Sequence, residues 1–269
     1  MLPIALGLFA IALYACATAR LALSLRRGEG PRTRAAVITA AVAAVLHAVV
    51  LYERAVLPGG LELGFFHALS LAAWVIVLLM LLLTLSQPVD NLGLGLFPLA
   101  GLSLAAMLAF GGVLPGPLIS TASGSLEIHV VISIAAYAVL SLAAMQAVVL
   151  GVQQRMLHGH HPVGAVRALP PLYVMESLLF RMITIGFALL TIALATGFLY
   201  LNDMFAQHLV HKTVLSIVAW FVFAVLLVGH RLAGWRGPTA VRFTLGGVVL
   251  LVLAYFGSKL VLELVLGHP

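Results

Sequence analysis

The chain has 269 residues, 63% of them hydrophobic and only 8% charged, with a mean hydropathy of +1.19. A soluble domain carries about a quarter charged residues, so a soluble enzyme is excluded and a polytopic membrane protein is implied. A formal charge of +6 and a pI near 10 would suggest nucleic acid in a soluble protein. Here the basic residues lie in short loops and report orientation, so no nucleic-acid partner is expected.

Lipid leaves no backbone group solvated, and the apolar runs are too continuous for a barrel's alternation, so an all-α chain is expected. Eight apolar segments can be drawn, at roughly 3–25, 35–57, 64–86, 93–113, 126–156, 178–201, 213–232 and 241–264. Turn signals separate them, among them Pro58 with Gly59 and Gly60, Pro115 to Gly124, Asn202 with Asp203, and Gly237 with Pro238. One membrane domain over residues 1–269 is the expected organisation. Cys16, in the first run, is the single cysteine. It excludes an intrachain disulfide and CxxC chemistry, and it reads as a helix-packing residue.

Arg20, Arg26, Arg27, Arg32 and Arg34 follow the first segment; Arg155, Arg167 and Arg181 the fifth; Arg231, Arg236 and Arg242 the seventh. The opposite side holds Arg54, Lys212 and Lys259. Positive-inside asymmetry therefore places both termini outside, in a bacterial inner membrane. His67, His129, His208, His211 and His268 then fall at the outer surface. His158, His160, His161 and His230 fall at the inner one, and His47 lies within the second segment.

Ten histidines against eight acids suggest coordination, since imidazole is a common metal ligand and an axial haem ligand. His129 opens the fifth segment above a face of Ser133, Ala136, Leu140, Ala143 and Ala147. Such a stripe admits a close helix or leaves a slot for a flat ligand. His47 sits deep in an apolar helix, where an ionisable group needs a partner or a function. His230, beside Arg231, reads equally as a ligand or as an interfacial group. His208 and His211 share one helical face but lack a third local ligand. Lys212 is suited either to an anion such as a haem propionate or to the headgroups. Lys212 and His230 share a helix face, about 27 Å apart. Glu176 and Arg181 read as an amphipathic entry lying on the inner surface. No catalytic triad, phosphate loop or HExxH helix is present.

The runs HVVISIAAYAVL, KTVLSIVAWFVFAVLLVGHRLAGWRG and AYFGSKLV resemble helices of the cytochrome c assembly family. With LHAVVLYERAVLPGG, the resemblance is nearest to its small YpjD-type inner-membrane members. It implies haem handling, with haem b held by histidine. His129 matches the family's outer His, His230 the His ending its penultimate helix, and His47 the second-helix His. His268 and His211 are weaker candidates for the iron, and Lys212 and Arg54 are candidates for the propionates. The family's haem-presenting members carry a Trp-rich WWD loop, but the stretch before Lys212 is NDMFAQHLVHK, without tryptophan. The resemblance thus implies haem binding, transfer or an accessory assembly role, with other assembly membrane proteins as partners, rather than synthetase activity. A transporter using His47, or a non-catalytic accessory subunit, are the rival readings.

Overall fold

The structure, a computed structural model, describes residues 2–27, 34–57, 60–62, 64–112, 118–119, 124–158, 169–200, 210–257 and 259–260. The expected all-α membrane architecture is present: among the described residues, eight helices are long and apolar enough to cross a bilayer. They are α1 (Leu2–Arg27), α2 (Arg34–Ala55), α3 (Phe65–Thr84), α4 (Gly93–Phe110), α5 (Gly124–His158), α6 (Leu172–Tyr200), α7 (Val210–Ala233) and α8 (Pro238–Val252). A π turn, Leu253–Gly257, continues α8. Three strands, β1 (Val56–Leu57), β2 (Gly60–Glu62) and β3 (Leu118–Ile119), form an antiparallel sheet in the order β1-β2-β3.

Contacts divide the chain into two compact units, one of residues 1–121, 156–170 and 266–269, the other of residues 122–155 and 171–265. In the first, α1 packs on α2 and α4, and α3 on α2 and α4. Between helices in lipid, contact comes from close packing of small residues. Ala36, Ala40, Ala43 and Ala44 of α2 and Ala10, Tyr14 and Ala17 of α1 are all buried. Gly7 supplies a close approach, since a Cβ there would stand 2.6 Å from Leu108. Cys16, expected to pack between helices, is exposed; it lies off the Tyr14–Ala17–Leu21 face that α1 buries.

In the second unit α5 meets α6 and α8. The Gln146 amide donates to the Met175 carbonyl (3.1 Å), and the Tyr137 hydroxyl to the Leu251 carbonyl beside the π turn (3.0 Å). Helix α6 meets α7 where the Trp220 indole donates to Thr191 (2.9 Å) and stacks on Phe187. The small-residue face of α5 is filled: Ala136, Leu140, Ala143 and Ala147 are buried, and Leu140 crowds the bare backbone of Gly186. It serves helix packing. Helix α6 begins six residues before the expected sixth segment, so Glu176 and Arg181 belong to its first turns and not to a separate surface element.

Candidate functional site

The candidate ligands fall in both units. In the first, His47 is fully buried, with its ring 2.9 Å from the Ser70 hydroxyl through Nε2 and 3.4 Å from the Tyr14 hydroxyl through Nδ1. Either tautomer satisfies both nitrogens, because each hydroxyl donates or accepts. The Trp74 indole donates to the Ala44 carbonyl at 2.8 Å, tying α3 to α2 one turn away. Arg54 is half-buried in the last turn of α2. At the same end, β2 carries Glu62 over α3, whose His67 is buried with Nδ1 3.8 Å from the Glu62 carboxylate. An apolar cleft of about 190 Å³ lies alongside, lined by Leu51, Tyr52, His67, Leu71 and Trp74 among others.

In the second unit, Nδ1 of the half-buried His129 lies 3.0 Å from the Thr196 hydroxyl, which donates to the Ile192 and Ala193 carbonyls. With its proton committed there, that hydroxyl accepts from Nδ1–H, leaving the lone pair of His129 on Nε2. Lys212 holds its ammonium 5.9 Å from the centre of the Tyr255 ring, a cation–π distance. His211 is exposed beside it. His208 and His268 lie outside the described residues, as do His160, His161 and the loop preceding Val210.

His230 occupies the most developed site. The backbone turns sharply after α7, with Gly234 and Gly237 at φ of 64° and 54°, where L side chains are strained. The turn folds back so that the Trp235 amide donates to the Gly229 carbonyl and the Trp235 carbonyl accepts from His230 Nδ1–H at 2.8 Å. A carbonyl only accepts, so this bond fixes the tautomer and leaves Nε2 as the lone-pair nitrogen. The Glu176 carboxylate secures the turn by accepting from the Gly237 amide at 2.7 Å. Phe180 stacks on the imidazole, centroids 3.5 Å apart and planes 15° from parallel, which covers one ring face. His230 lines a cleft of about 620 Å³ with Tyr173, Glu176, Phe180, Arg181 and Arg236.

His129 and His230 cannot share one iron. Their α6 partners, Thr196 and Phe180, are sixteen positions apart, about 24 Å along that helix. Among the described residues no three of His, Cys, Asp and Glu converge to hold a bare metal ion. Haem makes a smaller demand, because the porphyrin fills four positions and the protein supplies one or two axial ligands. An imidazole of fixed tautomer on a cleft within the roughly 300–1,000 Å³ usual for cofactor sites fits that demand. Sequence reasoning found the three histidines but not their partners Tyr14, Ser70, Thr196, Phe180 and Trp235. Only Trp235, five residues beyond His230, left a local signal.

Fold and site together define a multi-pass membrane protein with separate imidazole sites. The chain matches the family described as cytochrome c assembly protein over residues 35–266, and it belongs to that family. It is 34% identical over 261 residues to the inner membrane protein YpjD of Escherichia coli strain K12, covering 96% of this chain and 98% of that one. An uncharacterized 28.8 kDa protein of Azospirillum brasilense is 30% identical, covering 74% of this chain and 76% of the relative. A Prochlorococcus marinus cytochrome c biogenesis protein, CcsA, is 31% identical over 88 residues, 32% of this chain and 28% of that one. No solved structure matches the chain. Membership supports a role in cytochrome c biogenesis and, with it, an interaction with haem.

Proposed function

We propose that this protein holds haem b in the bacterial inner membrane during cytochrome c biogenesis, with His230 as the iron ligand. The observation that carries the reading is the Nδ1–H bond to the Trp235 carbonyl, which commits the lone pair of the ring to Nε2 on a cleft of cofactor size. Haem bound there would present an iron atom for carriage and delivery. Phe180 and the Trp235 turn orient the imidazole, and the apolar wall of Phe180 and Ile185 suits a porphyrin.

His129, with its lone pair also on Nε2, is a second candidate stop in the same unit as Lys212. Two stops near opposite ends of α6 would suit a relay. His47 would have to release both Ser70 and Tyr14 to reach iron, which favours a helix-tying role. Arg54, in the same unit as His47, has no iron ligand beside it in this reading.

Haemin titrated into the detergent-purified full chain, followed in the Soret region with oxidised and reduced spectra, tests the reading. A Soret band is expected in the wild type. His230→Ala should weaken affinity by at least about tenfold, the equivalent of roughly 1.4 kcal/mol of lost ligation. Absence of any band in the wild type, or an unchanged His230→Ala, would overturn it.

A further inference from the structure

The cleft at His230 carries more positive charge than ligation of iron requires. Arg181 and Arg236 both line it, and both are exposed. The carboxylate sharing the cleft belongs to Glu176, one of whose oxygens accepts from the Gly237 amide. Each arginine is also a chain neighbour of a group that touches the imidazole. Arg181 follows Phe180, which stacks on the ring, and Arg236 follows Trp235, whose carbonyl holds Nδ1. The backbones of both arginines are therefore each one residue from a group that touches the imidazole, and both side chains line the same cleft.

A group that combines an imidazole-accepting metal, a flat apolar body and two carboxylates matches this set. Carrying two ionised carboxylates to the edge of a bilayer is costly unless each meets a cation. Guanidinium meets carboxylate through two parallel hydrogen bonds, with a geometric selectivity that a lysine lacks. We propose that Arg181 and Arg236 recognise the two propionates of the porphyrin that His230 ligates, so that the cleft selects porphyrins with free carboxylates. The proposal rests on the haem reading above and adds specificity to it. Ser177, which also lines the cleft, adds a hydroxyl on α6, whereas the Thr184 hydroxyl donates to the Phe180 carbonyl at 2.8 Å.

The test compares haemin with its dimethyl ester, which keeps the iron and the ring but has no carboxylates. Both are titrated into the purified full-length protein and into R181Q, R236Q, the double variant and H230A. The wild type should bind haemin roughly tenfold more tightly than the ester, after allowance for the exposure of both arginines. Each single substitution should remove about threefold of that preference, and the double variant should bind the two porphyrins equally while keeping the wild-type affinity for the ester. H230A should weaken both and keep the preference for haemin. Equal binding of haemin and ester by the wild type, with a normal Soret band, overturns the propionate assignment and leaves the haem reading intact. Loss of ester binding in the double variant assigns the arginines to the fold and also overturns it. If the wild type binds neither porphyrin, the haem reading falls and this inference with it.

Discussion

A buried imidazole with both nitrogens occupied acts as a tie. His47 joins α2 to α3 through Ser70 and to α1 through Tyr14, so its removal leaves two hydroxyls without that partner inside a dry bundle. The cost of such a loss is about 1–3 kcal/mol in water-soluble cores, but interhelical hydrogen bonds in membranes average nearer about 0.6 kcal/mol. His47→Ala should therefore destabilise the protein by about 1 kcal/mol, visible as a lower midpoint in thermal unfolding in detergent, and should leave the haemin spectrum unchanged. A variant of wild-type stability that has lost its Soret band would instead make His47 an iron ligand. That His47 needs a partner was legible from its depth in the second segment. Its partners stand 33 and 23 residues away, and spacing within one helix says nothing about which faces of separate helices meet.

Between α7 and α8, a single missing side chain decides where an imidazole points. A Cβ on Gly229 would lie 2.4 Å from the Trp235 ring, so the turn closes over α7 only because that position is bare. Gly229→Ala should push Trp235 outward, lengthen the bond from its carbonyl to His230 and weaken haemin binding by roughly threefold to tenfold, a milder form of His230→Ala. Haemin affinity measured with the wild-type unfolding midpoint as a control reports this. A variant that binds haemin as the wild type does would show that the turn does not orient the ligand. The helices themselves were legible, because spans of about twenty apolar residues leave a composition signal that survives errors at the ends. The three strands were not, since two or three residues show no period and depend on a partner as distant as Leu118 is from Glu62. The start of α6 was missed because Glu176 and Arg181 look like surface residues in sequence, whereas in the structure they lie in the first turns of a spanning helix, facing a cleft.

For the molecule as a whole, the remaining question is which side of the membrane the His230 cleft faces. Among the described residues eight helices are long and apolar enough to span a bilayer, and a chain that crosses eight times would have both termini on one side. Along the sequence, Arg20, Arg26, Arg27, Arg32, Arg34, Arg155, Arg167, Arg181, Arg231, Arg236 and Arg242 fall in connections that such a path assigns to one side, against Arg54, Lys212 and Lys259 on the other. Cytoplasmic retention of Lys and Arg in short loops would make the crowded side the inner one, the expectation that a reporter fusion tests. Arg181 and Arg236, which line the cleft, would then also count toward orientation. A reporter that is active only outside the cytoplasm, such as alkaline phosphatase fused after Pro269, should be active. A fluorescent protein fused at the same point by the same export route should be dark, and both reporters should reverse when placed between α7 and α8. If both carboxy-terminal fusions gave the opposite result, His230 and its arginines would face the outer side. The cleft would then receive haem on the outer side, and His129 would take the inner position.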